Sequence, residues 1–322
     1  MRVKIRAPTR LHFALCDLGR ASPFAIGGVG LGITNPRIEI WCQPGSGAVE
    51  LLNTSVSWKR EIAQLISDLN SHVDTSSVDL TVSSSVPAHC GFGSHTVLAL
   101  GLIEAVGLTL DKGWTRDFIV AQSGRGGTSG VGIQTYFCGG LAYDFGRSSR
   151  PEHFLPSSAI VPASRSVLGP PIAWPSNWII LLALVKGKRV YGKEERKFFR
   201  ENTPVTKEEA METIVSIHHG LLPAIISQDL RILSESLRDL HQVGFKATEL
   251  RNQSSKVRQL YSTVAANHIA CGMSSFGPLV YAIVDRSDRS SINLFNRVSE
   301  ELGVVAQVKT AASTGREVSC IG

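Results

Sequence analysis

Pro87-Ala88-His89-Cys90-Gly91-Phe92-Gly93-Ser94-His95-Thr96 follows an alternating run, Val78 to Ser83, and leads into an apolar run that ends near Val106. A period of two reads as a strand, and the apolar run at Thr96 to Val106 reads as a helix. Glycines at such a strand-to-helix turn let backbone N–H groups converge on one point, and the positive end of the helix dipole adds to them. The stretch therefore suits an anion, with Ser94 and Thr96 as extra hydroxyl donors. It equally suits a plain tight turn with Ser94 as N-cap. A Walker A loop is excluded, because no Gly-Lys-Ser/Thr triplet follows.

Two further clusters flank this one in the chain's logic. Gly124-Arg125-Gly126-Gly127-Thr128-Ser129-Gly130-Val131-Gly132 packs an arginine, two hydroxyls and five glycines into nine residues. Arginine grips phosphate oxygens bidentately, although a flexible surface loop has the same composition. Cys271-Gly272-Met273-Ser274-Ser275-Phe276-Gly277-Pro278 stands before the strand-like run Leu279 to Val284. An ordinary helix-to-strand turn explains it alone; three such clusters in one chain point to phosphate.

Around them the chain reads as α+β. Strands are expected at Val3–Ala7, Leu11–Leu15, Arg37–Gln43, Trp178–Val185, Val280–Val284 and Val304–Gln307, with a glycine-rich turn at Gly27–Gly32. Helices are expected at Trp58–Asn70, Trp114–Ser123, Lys207–His219, Leu221–Ser227, Asp229–Val243, Glu249–Asn267 and Ile292–Leu302. Residues 147–177, rich in Ser, Pro and Arg, lack periodicity and mark a loop between two lobes, 1–165 and 166–322. A chain of 322 residues is too long for one ordinary core and fits two lobes of about 150 residues.

The composition narrows function. The formal charge is +6, but the densest basic stretch, Lys186 to Arg200, is broken by Glu194 and Glu195 and carries no aromatic ladder. That excludes a nucleic-acid tract and favours a small polyanionic substrate. Six scattered cysteines without a CxxC pair argue against zinc and disulfides and for a reducing, cytoplasmic setting. The longest apolar run, Trp178–Val185, is too short to cross a membrane, and MRVKIRAPTR is a charged strand start rather than a signal peptide.

The order of these segments resembles the GHMP kinase superfamily, whose Pro-x-x-x-Gly-Leu-Gly-Ser-Ser loop cups nucleotide phosphates. Pro87 to Ser94 matches it with Phe92 in the Leu place, and Gly272 to Gly277 resembles its third motif. Many of these kinases carry a catalytic Asp just after a Ser-Gly pair; here Gly132 stands there, and glycine accepts no proton. One branch is more similar still, the β-ribofuranosylaminobenzene 5′-phosphate synthases and C-nucleoside synthases. The likeness runs through Ala7 to Phe13 with Asp17-Leu18, Pro87 to Ser94, Arg125 to Gly130, Leu222-Pro223-Ala224, Gln242-Val243-Gly244-Phe245 and Gly272 to Pro278. Ala25-Ile26 before Gly27-Gly28, where that branch carries an acid, and Val97, where it carries a Gln, depart from it.

The resemblance implies a two-lobed fold, with an N-terminal lobe like ribosomal protein S5 domain 2 and a ferredoxin-like C-terminal lobe, in a homodimer. It implies transfer of ribose 5-phosphate from phosphoribosyl pyrophosphate, with Mg²⁺, to an aromatic or heteroaromatic carboxylic acid, with loss of carbon dioxide and pyrophosphate. An ATP-dependent small-molecule kinase is the alternative. Phosphate would be held by Arg10, His12, Gly91, Gly93, Ser94, Thr96, Arg125, Gly126, Gly127, Thr128, Ser129, Gly130, Lys193, Ser274, Ser275 and Gly277. A carboxylate such as Asp17 or Asp144 would face a ribosyl cation, and His89 lies inside the phosphate loop. The acceptor ring would sit among Asp17–Gly30, Tyr191 and Gln242–Lys246. His218-His219 and His241 have no spaced partner and suggest no metal site.

Overall fold

A computed structural model describes the whole chain except residues 55, 71–72, 85, 126–128, 149–150, 158, 160–163, 171 and 322. The chain opens with two long strands, β1 (Arg2–Asp17) and β2 (Ile26–Pro44), paired antiparallel almost end to end. β3 (Val49–Leu52), α1 (Val56–Asn70) and β4 (Val78–Ser84) follow, then α2 (Ser94–Thr109), α3 (Arg116–Gln122), α4 (Gly130–Cys138) and β5 (Leu141–Asp144). The second half holds β6 (Trp178–Leu184), α5 (Gly192–Asn202) and α6 (Lys207–Val215), which runs through a π turn, Ser216–Leu221, into α7 (Leu222–Ile226). α8 (Leu230–Gln242), α9 (Gly244–Arg251) and α10 (Ser255–Ala266) precede β7 (Ala270–Met273) and β8 (Leu279–Asp285). α11 (Arg289–Glu301), β9 (Gln307–Lys309) and β10 (Glu317–Ile321) end the chain.

These elements build two sheets, β10-β1-β2-β4-β3 with β5 joined to β2, and β7-β8-β6-β9. The α+β class expected from the sequence holds. β10 returns to pair with β1, so the last strand belongs to the first sheet. Among the described residues no helix is long and apolar enough to cross a membrane, and the six cysteines are free thiols.

Several expectations move. The glycines at 27–32 are strand, not turn. A Cβ on Gly30 would sit 2.3 Å from the Leu11 carbonyl and 2.7 Å from Val131 Cγ1, so the glycine lets α4 and β1 close on the strand. The helix expected over Glu249–Asn267 is two, α9 and α10, with Gln253 between them bonded to the Lys188 and Phe276 carbonyls. The strand expected at Val304–Gln307 lies at Gln307–Lys309. α4, α5, β7 and β10 were not expected as separate elements.

α2 carries the first lobe's core. Of its residues only His95 and Leu108 escape burial, the mark of a helix apolar on every side. Its one acid, Glu104, is buried at 5% exposure. Tyr136 Oη donates to Glu104 Oε2 at 2.6 Å, and Arg316 Nη2 donates to Oε1 at 2.6 Å. Arg316 just precedes β10, so this pair ties the returning C-terminal segment to the core. Arg316→Ala should destabilise the protein by about 3 kcal/mol, the scale for stripping a buried carboxylate of its partner. Denaturant unfolding measures it; a loss under about 1 kcal/mol would mean the pair does not hold the segment.

Candidate functional site

The anion loop and β1 are laced together before any ligand arrives. The Arg10 amide donates to the Phe92 carbonyl at 3.0 Å, and Arg10 Nη1 donates to the Gly91 carbonyl at 3.0 Å. Gly93, at φ 66°, is the N-cap of α2, a place the sequence suggested for Ser94. A Cβ on Gly93 would lie 2.6 Å from Arg10 Nε; glycine serves both the left-handed turn and the passage of the guanidinium. No side chain caps this helix end; the Gly93 carbonyl accepts the Thr96 and Val97 amides at 3.1 and 3.4 Å.

A second guanidinium reaches the same place. Arg125 Nε donates to Thr96 Oγ1 at 3.1 Å, and the Arg125 amide donates to Ser123 Oγ at 3.2 Å. Burial lowers both guanidiniums to about 10; Arg125 lowers Arg10 further, while Glu195 and Glu249 pull back. Both stay charged at neutral pH.

These residues face a cavity of about 320 Å³. Its walls include Arg10, His89, Gly91, Gly93, Ser94, Thr96, Arg125, Ser275 and Gly277, with Glu195 and Arg196 from α5. A smaller chamber of about 100 Å³ continues inward past Arg10, Thr96, Arg125 and Ser275. His12, Ser129, Gly132 and Glu249 line it on its polar side, and Leu15, Ile26, Phe199 and Phe276 on its apolar side. Burial, then Arg10 and Lys246, hold the His12 imidazole well below its ordinary value and thus neutral.

The sequence-derived site is therefore largely assembled, with corrections. Ser274 lines neither cavity. Its hydroxyl donates to the Gly91 carbonyl at 2.6 Å and accepts the His12 amide at 2.9 Å, so it is a structural link, and Ser275 is the serine that lines both cavities. Lys193 is exposed and outside both cavities; Arg196, one turn on, takes its place. Gly130 opens α4 and turns its amide to Asp144 rather than to the cavity. Gly126, Gly127 and Thr128 lie outside the described residues.

Neither aspartate lines the two cavities. Asp17 Oδ1 accepts the amides of Gly19 and Ala21 at 3.0 and 3.1 Å, and Oδ2 accepts that of Ser22 at 2.8 Å. It borders a separate apolar cavity of about 420 Å³. Asp144 Oδ1 accepts the Gly146 amide at 2.8 Å. Burial pushes its carboxyl up to about 6, against the Gly146 and Gly130 amides, Ser166 and Arg147. The carboxylates that do reach the chamber, Glu195 and Glu249, went unnoticed in the sequence. Both sit in helical runs of mixed charge that read as solvated faces. Of the expected ring walls, Ile26 is one. Tyr191 belongs to the outer cavity, and Phe245 stands behind Phe199 and Phe276, with centroids at 4.8 and 5.9 Å.

At the mouth, His89 stacks on Tyr191 with centroids 4.0 Å apart and 9° between planes. His89 Nε2 is hydrogen-bonded to Glu61 Oε1, and His95 Nδ1 lies 3.8 Å from Glu61 Oε2. Among the described residues no cluster of three or more His, Cys, Asp or Glu converges as a metal site.

No protein-family model matches the chain. It is 32% identical to the β-ribofuranosylphenol 5′-phosphate synthase of Archaeoglobus fulgidus over 287 aligned positions, 88% of each chain. The identity is 31% to the synthase of that name from Methanothermobacter thermautotrophicus, over 93% of each chain. The Methanocaldococcus jannaschii synthase matches at 29% over 94% of this chain and 95% of its own. Solved structures of the same shape include homoserine kinase from Cytophaga hutchinsonii, with TM-score 0.66, 12% identity, and 99% of this chain and 97% of that one covered. Mevalonate diphosphate decarboxylase from Staphylococcus aureus gives 0.65 at 13% identity, covering 99% and 98%. The fold is that of the GHMP kinases.

The mouth cluster sets a pH dependence. Burial would raise the Glu61 carboxyl, but the hydrogen bond from His89 and the nearby His95 outweigh it and hold it down to about 2. A carboxyl lower in the folded than in the unfolded chain stabilises the fold above its unfolded value, and that share disappears on acidification. Wild type should therefore lose stability relative to Glu61→Gln between about pH 4.5 and pH 2. Parallel stability-against-pH curves for the two proteins would refute the assignment.

Proposed function

The chain belongs to the family of the β-ribofuranosylphenol 5′-phosphate synthases, and from that premise we propose that it is a decarboxylating C-ribosyltransferase. It joins ribose 5-phosphate, delivered as phosphoribosyl pyrophosphate, to a ring carbon of an aromatic or heteroaromatic carboxylic acid. Carbon dioxide and pyrophosphate leave.

One observation carries the reading: two half-buried arginines, Arg10 and Arg125, line one cavity at a glycine-rich helix start while Gly132 lines the adjoining chamber. The arginines and the helix start that no side chain caps suit a donor rich in phosphate. The chamber beyond offers an apolar wall of Leu15, Ile26, Phe199 and Phe276 for a flat ring. A Cβ on Gly132 would lie 3.1 Å from Thr96 Cγ2, so a larger acidic side chain has no room there without movement. That disfavours the kinase alternative.

The reaction then needs no strong base. The anomeric carbon–oxygen bond breaks, and its electron pair leaves with pyrophosphate. Ring electrons form the new carbon–carbon bond. The bond to the carboxylate breaks, its electrons restore aromaticity, and carbon dioxide departs without a proton being removed. Mg²⁺ typically takes one or two carboxylates besides phosphate oxygens and waters. Glu195, which lines both cavities, would hold it with the donor, where it supplies neutralisation of the leaving charge.

The relatives' name specifies a phenol, so a hydroxybenzoate is the first acceptor to try, ahead of the aminobenzoate that the resemblance suggested. A nitrogen heterocycle acid comes next, because Ile26 lines the chamber where the branch carries an acid close by. Val97 is fully buried and lines neither cavity, so its departure from Gln does not touch the acceptor directly.

Two outcomes test the proposal. Arg125→Ala should weaken phosphoribosyl pyrophosphate binding by about 1.5–3 kcal/mol, the scale for a hydrogen bond to a charged group. Calorimetric titration reads it, and unchanged affinity in a folded variant would remove Arg125 from the site. With donor, Mg²⁺ and an acceptor acid, carbon dioxide and pyrophosphate should appear in equal amounts, while ATP should phosphorylate no small alcohol. Carboxyl carbon retained in the product, or a product joined through oxygen or nitrogen, would defeat the decarboxylative coupling.

A further inference from the structure

Glu249 lies on α9 and lines the inner chamber beside Arg10 and His12. It is 5% exposed, and Lys246 on the same helix is 4% exposed. Lys246 Nζ donates to Glu249 Oε2 at 2.8 Å and to the Ser275 carbonyl at 3.0 Å. Ser275 holds φ 51° and lines both cavities. Buried ion pairs stabilise folds weakly, because desolvation offsets their attraction. One that is anchored against a loop carbonyl and presents its carboxylate to a cavity calls for another explanation.

The chamber supplies one. Its other charges are Arg10 and Arg125, which attract the leaving pyrophosphate, and Glu195, which reaches the outer cavity as well. Glu249 borders only the inner chamber, where the ring and the anomeric carbon would meet. Asp17 and Asp144 are turned to backbone amides elsewhere.

We propose that Glu249 is the catalytic carboxylate that faces the ribosyl carbon as its bond to pyrophosphate breaks, and that Lys246 is the positioning residue that holds it. The inference rests on the ribosyl-transfer reading above. As the electron pair leaves with pyrophosphate, positive charge grows on the anomeric carbon, and a fixed carboxylate opposes it without reorganising. Glu249 takes and gives no proton. The charge disappears when the ring's electrons form the new bond.

The test follows pyrophosphate release from phosphoribosyl pyrophosphate and Mg²⁺ in single turnover, with and without acceptor acid. Glu249→Gln should slow release roughly a hundred- to thousandfold, the scale for losing one preorganised charge-stabilising group. Donor affinity should stay within about threefold, on the same reasoning that the group acts in the transition state. Lys246→Met should slow release at unchanged affinity, and Lys246→Arg should restore most of the rate. Wild-type release in Glu249→Gln overturns the inference. So does a loss of donor affinity as large as the loss of rate, since Glu249 would then be a binding or folding residue. If wild type releases pyrophosphate to water but forms no carbon-linked product, the coupling reaction fails while a slowed Glu249→Gln still supports this role. Should Glu249→Gln not fold, the two Lys246 variants decide: equal rates in both would count against it.

Discussion

The Ser274 hydroxyl holds together three segments far apart in sequence. It donates to the Gly91 carbonyl in the anion loop and accepts the His12 amide in β1, while the next amide, Ser275, donates to the His12 carbonyl at 3.0 Å. A hydroxyl can do this because it is donor and acceptor at once. The link fixes the second lobe's loop against the first lobe's sheet. Arg10 and Ser275 come to line one cavity for that reason, and the left-handed backbone of Ser275 is held by its neighbours rather than by its own preference.

Given that frame, charge decides the rest. Two half-buried guanidiniums line the same cavity, and desolvation lowers each. Like charges in such a place repel, and desolvation compounds the cost. Glu195 and Glu249 offset part of it, as their opposing pull on Arg10 shows. An anionic ligand reverses the sign of the whole arrangement. Burial, with Arg10 and Lys246 adding to it, keeps His12 neutral, so the chamber's imidazole offers hydrogen bonds without a further positive charge. The apolar wall of Phe199 and Phe276, backed by Phe245, completes a site with a wet, charged half and a dry, flat half.

Much of this was legible in the sequence, and the rest was hidden for physical reasons. Alternation before Pro87 and unbroken apolarity after Thr96 announced the strand, the anion loop and α2. Arg125 stood out because glycines and hydroxyls surround it, and Arg10 through the likeness of Ala7 to Phe13 to the synthase branch. The glycines at 27–32 misled, since glycine serves a turn and a close approach equally, and only the packing of Leu11 and Val131 against Gly30 shows which. Glu195 sits in Lys193-Glu194-Glu195-Arg196-Lys197, a pattern identical to a solvated helix face; α5's position against the cavity is a tertiary fact. Asp17 and Asp144 misled in the opposite direction. The resemblance offered them as carboxylates facing a ribosyl cation, but neighbouring backbone amides take them up.

The inner chamber also leaves little room for an acid at position 132, where the resemblance to the kinases would place one. Gly132 faces Thr96, whose Cγ2 would stand 3.1 Å from any Cβ placed there. The hydroxyl of the same threonine accepts Arg125 Nε at 3.1 Å. One side chain thus fills the space of a base with its methyl and steadies a phosphate-seeking arginine with its oxygen. Restoring an acid at 132 would press on Thr96 and set a carboxylate near the guanidinium that the donor needs. The proposed acceptor, which sheds carbon dioxide instead of a proton, suits such a site, because no group in it would have to take the proton away.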